Sequence, residues 1–200
     1  MTPLHRYRVA IALILLAFVG TGLVYSQLPD LMPMQWGLDG RVNSYFPKWW
    51  AAWIVPVVAA VATAAMMNLF NAKRSSTLIV NAFAAFMLFS CGVIWYSAMH
   101  PSESPLAYLF AGLGVFLIVI GNIAGKLTWN YFVGIRTPWT LDDPKVWERT
   151  HRAAGPVFVV GGLAMFGAGI AHAPAAMLLA LLLATCLYPT LYSYRVWRRG

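Results

Sequence analysis

Apolar and polar residues in this chain alternate on the scale of whole helices, not of single turns. Six apolar stretches lie near residues 9–28, 49–70, 77–99, 105–124, 156–172 and 173–194. A helix of roughly 20 apolar residues crosses a hydrocarbon core of about 30 Å, so each stretch is a candidate span. The fifth is short and rich in glycine, which leaves its ends the least defined. None of the six carries Asp, Glu, Lys or Arg in its interior. The pattern predicts an all-α fold: a polytopic membrane protein with six transmembrane helices, forming a single domain over 1–200.

Two polar segments interrupt the pattern and hold most of the information. Residues 28–50 are punctuated by Pro29, Pro33, Gly37, Gly40 and Pro47, which disfavours a long regular helix. Leu38-Asp39-Gly40-Arg41 carries an Asp-Gly turn signal that suits a small hairpin. Trp36, Tyr45, Phe46, Trp49 and Trp50 add aromatic mass. Trp49 and Trp50 fit an interfacial belt at the end of a span. Trp36 and Tyr45, inside the loop proper, suit either packing or a peptide-binding surface.

The second segment, 125–155, contains NYFVGIRTPWTLDDPKVWERTHRAAG from Asn130 onward. Thr137 and Asp143 each precede a proline and are biased toward extended geometry. Asp143 can cap a helix opening with Pro144 at its first position. From there Lys145, Arg149 and Arg152 share one helical face, and Trp147, His151 and Ala154 share the other. This predicts a short amphipathic helix suited to lying at a membrane interface.

Composition and charge fix the class and the orientation. Sixty per cent of residues are hydrophobic and 10% charged, against roughly 25% charged for a soluble domain. With the N-terminus inside, the inner segments hold Arg6, Arg8, Lys73, Arg74, Lys126, Arg136, Lys145, Arg149, Arg152, Arg195, Arg198 and Arg199. Only Arg41 and Lys48 fall outside. This positive-inside bias agrees with strict alternation of six spans and places both termini in the cytoplasm. The net charge of +8 then reflects topology and anionic lipid, and gives no reason to invoke nucleic acid. The first span has a basic leader like a signal peptide. Its apolar run approaches 20 residues, however, and Val24-Tyr25-Ser26-Gln27 lacks a small-residue cleavage pattern, so it reads as a retained helix.

The segment from Gly121 to Gly155 resembles the hallmark loop of the SdpI family of bacterial membrane proteins. A run like GN…NYFIGIRTPWTL…VW…THR…G links the fourth and fifth spans in that family. Here it reads Gly121-Asn122, NYFVGIRTPWTL at 130–141, Val146-Trp147, Thr150-His151-Arg152 and Gly155. The outer loop is similar to the small N-terminal domain of unknown function that accompanies the family, through Leu28, Pro29, Pro33, Trp36, Gly40, Tyr45 and Lys48. The family's histidine is replaced by Gln35, and its following Asn by Gly37. These changes remove the family's histidine ring from the loop. The resemblance implies protection from an exported peptide toxin and relay of its presence to a cytoplasmic regulator. It also implies a cytoplasmic functional element made of Asn130, Tyr131, Phe132, Gly134, Arg136, Thr137, Pro138, Trp139, Trp147, His151 and Arg152.

The residues offer little for catalysis. His5, His100, His151 and His172 are scattered, with no Cys-His cluster or HExxH pattern, so neither metal nor cofactor is expected. Asp30, Asp39 and Glu103, the outer acids, look too dispersed for an acid–base pair. Cys91 and Cys186 fall inside spans, where a small apolar packing role is expected. The intramembrane polar residues Asn68, Asn81, Ser90, Asn122, Thr185 and Tyr188 are uncharged. Interhelical hydrogen bonds worth about 0.6–2 kcal/mol are their expected role. Gly121 and Gly125 form a small-xxx-small pair for close helix approach. The expected partners are membrane lipid, an amphipathic peptide toxin outside and a cytoplasmic regulator. A small transporter or lipid-handling protein is the alternative, and a membrane enzyme the weakest reading.

Overall fold

A computed structural model of the chain describes residues 3–70 and 74–199. Lys73, counted above among the inner basic residues, lies outside the described residues. The elements run α1 (Pro3–Arg6), α2 (Arg8–Val24), β1 (Leu31–Trp36), β2 (Val42–Pro47), α3 (Lys48–Leu69), α4 (Arg74–Met99), α5 (Leu106–Ala124), α6 (Pro138–Asp142), α7 (Pro144–Ile170) and α8 (Ala175–Arg198). Among the described residues, six helices are long and apolar enough to cross a membrane. The chain is therefore an α-helical, multi-pass membrane protein.

Five span positions match the sequence expectation closely, and the fifth does not. α7 runs unbroken from Pro144 to Ile170 with Pro156 inside it. The separate interfacial helix expected at 144–155 is the first part of this long helix. A proline removes one backbone hydrogen bond from a helix without having to end it. The two-faced pattern itself is present: Lys145, Glu148, Arg149 and Arg152 are exposed, while Trp147, Thr150, His151 and Ala154 are buried. The buried face rests on the neighbouring loop and helix, not on lipid. The fifth helix consequently does carry charges in its opening turns.

The helices form two groups. α2, α3 and α4 enclose a core of Tyr7, Ala10, Ile14, Ala59, Val80 and Ala84. α5, α7 and α8 form the other group, with the α5–α7 pair packed most extensively. Lipid tails are as apolar as side chains, so close contact between backbones has to replace the hydrophobic drive. Glycines at heptad intervals allow that contact: Gly114 and Gly121 on α5 against Gly155, Gly162 and Gly169 on α7. A Cβ added at Gly121 would sit 2.7 Å from the Gly155 carbonyl oxygen, and one at Gly114 would sit 2.6 Å from that of Gly162. A Cβ added at Gly125, expected to share this role, would be in ordinary contact, 3.7 Å from Arg152 Cα. The operative spacing is seven, not four.

The expected interhelical hydrogen bonds are replaced by bonds within single helices. Asn68 donates to Ala64 O, Ser90 to Phe86 O, Asn122 to Ile118 O and Thr185 to Leu181 O, at 2.7–2.8 Å. The carbonyl one turn back is always within reach, so no second helix is needed to satisfy these groups. Tyr188 is exposed and stacks on Tyr192.

Candidate functional site

The 125–155 segment folds into a clasp, and most of its polar groups are satisfied inside it. Asn130 organises the first turn. Its Oδ1 accepts from the backbone N–H groups of Phe132 (2.8 Å) and Val133 (2.7 Å), and its Nδ2 donates to Thr128 O (2.8 Å). Asparagine side chains commonly mimic a turn of backbone in this way. Arg136 Nη1 donates to Tyr131 O at 3.0 Å, closing the same turn from the other side. Thr137 and Thr140 form a reciprocal capping box for α6 behind Pro138, and Thr140 Oγ1 also donates to Ile135 O at 2.8 Å. Asp143 then caps α7, with Oδ1 accepting from Lys145 N at 2.7 Å.

His151 is the pivot between the clasp and α7. Its Nδ1 lies 2.9 Å from Trp147 O, a pure acceptor, so this nitrogen carries the proton. Nε2 is then free to accept from Ile135 N–H, also at 2.9 Å. Both bonds together require the neutral ring. The imidazole stacks on Trp147 with centroids 4.0 Å apart, and Trp147 Nε1 donates to Leu127 O at 2.9 Å. Gly134, at φ +131°, passes over this pair; a Cβ there would collide with His151 Nε2 and stand 2.7 Å from the Trp147 ring. The glycine is thus required twice, by its backbone angle and by the ring beneath it.

α8 completes the clasp. Trp139 Nε1 donates to Ser193 Oγ at 2.8 Å, and its ring packs on Tyr194 and Trp197. Trp129 Nε1 donates to Leu141 O. Arg152 stays exposed and pairs with Glu148 one helical turn away at 2.7 Å. Tyr131 (58% exposed) and Phe132 (47% exposed) project from the finished clasp. Of the cytoplasmic-motif residues, Tyr131 and Phe132 join the clasp through their backbones, Tyr131 also through an edge-on contact of its ring with Trp129, while the Arg152 side chain lies outside it. Asn81 and Asn122 are not part of it. Asn81 Oδ1 is buried without a hydrogen-bond partner among the described residues, and Asn122 is exposed on α5.

At the opposite end, residues 31–47 form the antiparallel hairpin that the Asp-Gly signal suggested. Pro33 pairs with Tyr45 and Trp36 with Val42, with register shifts around Gln35. Asp39 Oδ1 accepts from Arg41 N, and Gly40 takes φ +77° at the turn. Met32 is fully buried against Leu28, Ala51, Ala52 and Ala98, so the hairpin is docked on the bundle. Lys48 fastens its base: Nζ donates to Leu28 O at 3.1 Å, pairs with Asp30 at 3.1 Å and lies over the Tyr25 ring.

The hairpin does not unite Trp36 and Tyr45. Trp36 is half-buried and lines an apolar cavity of about 540 Å³ with Met34, Ile54, Met87 and Leu106. Tyr45 is 52% exposed. Trp49 is exposed too, as a belt residue would be, whereas Trp50 packs edge-on against Phe46.

A polar cavity of about 680 Å³ at this end has no counterpart in the sequence reading. The hairpin turn, the α4–α5 loop and the α7–α8 turn line this open cavity, bringing Asp39, Glu103 and His172 to one space. Asp39 and Glu103, 64 positions apart in the chain, looked dispersed because nothing local signals that their loops meet.

Six spans, a docked hairpin at one end and a tryptophan–histidine clasp at the other define a compact multi-pass membrane protein with two built faces. Residues 126–193 match the SdpI/YfhL protein family, and residues 12–60 match the Domain of unknown function DUF1648. Those two regions contain the clasp and the hairpin. The chain is also 26% identical over 199 residues to the protein named Immunity protein SdpI from Bacillus subtilis (strain 168), covering 96% of this chain and 95% of that one. No solved structure matches it.

Proposed function

We propose that this is an immunity-type protein of the bacterial cytoplasmic membrane, protecting the cell from an exported amphipathic peptide. The observation that carries the reading is the end-to-end similarity to a protein named for immunity, which includes both built faces. The hairpin faces outward and meets the peptide, with Tyr45 as its exposed ring. The clasp faces the cytoplasm, where Tyr131, Phe132 and the basic face of α7 offer contacts to lipid headgroups and to a regulator. The chain acts by binding, not as an enzyme. Expression of the chain in a sensitive bacterial host challenged with exported antimicrobial peptides is expected to restore growth. Growth no better than an empty vector across such peptides would overturn the reading.

A lipid-handling role is the second reading, favoured by the apolar cavity beneath Trp36 between α3, α4 and α5. Under it, substitutions lining that cavity would alter lipid composition or flux and leave peptide survival unchanged.

A further inference from the structure

We infer that the polar cavity at the hairpin end is a binding site for a cationic side chain, a guanidinium or ammonium group carried by the extracytoplasmic peptide. The inference rests on the immunity reading for the peptide and on the cavity's own chemistry for the cation. The lining combines carboxylates with aromatic rings. Glu103 and Asp39 supply negative charge, and Tyr108 and His172 supply rings. Carboxylates beside aromatic faces suit an organic cation, which gains from the ion pair and from the ring quadrupole together.

The site is built by contacts that hold each wall. Tyr96 Oη donates to Glu103 Oε1 at 3.3 Å, and Ser97 Oγ donates to Glu103 O at 3.3 Å, fixing the α4–α5 loop. Tyr96 stacks on His100 at 4.2 Å and meets Tyr108 edge-on at 6.5 Å. Tyr108 in turn meets His172 at 5.2 Å and 90°. His172 sits at φ +51°, in the turn leaving α7, with its N–H donating to Gly169 O at 3.0 Å. The hairpin turn closes the rim: a Cβ on Gly40 would lie 3.3 Å from Ser104 Cβ. Asp39 already has Arg41 at 3.7 Å across an exposed pair. Glu103 has no basic side chain in an ion pair with it among the described residues, so it is the carboxylate a ligand cation would engage.

The test uses the full chain in lipid nanodiscs, carbon-13-labelled at histidine, with the His172 resonance assigned through His172→Asn. N-acetyl-argininamide is titrated in, and its neutral isostere N-acetyl-citrullinamide serves as the comparison. A saturable shift of His172 with the arginine probe is expected, absent with citrulline and weakened about tenfold or more in Glu103→Gln. Asp39→Asn is expected to have a smaller effect. No saturable shift, equal shifts with both probes, or unchanged binding in Glu103→Gln would each overturn the site. The binding readout needs no toxin, so cation binding by a chain that fails to protect any host would overturn the immunity reading alone. Protection without cation binding would overturn this site alone.

Discussion

His151 shows how one side chain can hold a loop to a helix. Both ring nitrogens are used, one donating to Trp147 O and one accepting from Ile135 N–H. His151→Phe keeps the stacking surface on Trp147 and removes the acceptor. The Ile135 N–H is then left unpaired, at a cost of about 1–3 kcal/mol. The expected outcome is a lower melting temperature in detergent together with faster proteolysis between Trp129 and Pro138. Melting and proteolysis unchanged from wild type would show that the hydrogen bond contributes nothing. The histidine's place on the buried face of a helix was legible in its spacing from Trp147. Its partner was not, because Ile135 lies 16 residues away across a turn that only Asn130 and Gly134 make possible.

The α5–α7 pair is the element on which the clasp depends, since α7 carries Trp147 and His151 and α5 leads into Leu127. Its contact surface is made of glycines whose missing side chains let the backbones meet. Gly121→Ala would place a methyl 2.7 Å from the Gly155 carbonyl oxygen and 2.9 Å from Val159 N. Those are backbone atoms and cannot swing aside, so a loss of about 1–3 kcal/mol is expected from overpacking. Gly167→Ala, on the same pair of helices, meets nothing within 4 Å. There, relief of glycine's backbone entropy is expected to stabilise α7 by roughly 0.5–1 kcal/mol. Parallel melting curves of the two variants should therefore move in opposite directions; equal shifts would mean the helices are not in backbone contact. Sequence showed that glycine was abundant in the fifth span but not what it was for. The heptad match becomes visible only once α5 and α7 are known to be partners. The missed start of α7 has a related cause: the change from a charged amphipathic stretch to an apolar one reads as two elements where packing sustains one helix.

The whole molecule presents two unlike ends. The structure places the hairpin, the α4–α5 loop and the α7–α8 turn together, and the clasp with the end of α8 at the other extreme. This two-ended layout is the one that the alternation of apolar stretches predicted. Reporter fusions after Gly40 and after Glu103 are expected to read outside, and one after Asp143 inside, as the positive-inside rule requires. An outside signal at Asp143 would remove both the orientation and the regulator-facing role of the clasp. The immunity claim itself is tested most directly at the hairpin. Tyr45 projects from the docked strands, whereas Trp36 supports the cavity beneath them, so their variants should differ. The decisive measurement is survival of a sensitive host expressing each variant under peptide challenge, paired with the melting temperature of the same protein. Tyr45→Ala is predicted to lose protection at unchanged melting temperature, as removal of an aromatic anchor worth about 2 kcal/mol or more would produce. Trp36→Ala is predicted to lower both. Full protection by Tyr45→Ala at wild-type melting temperature would contradict the account.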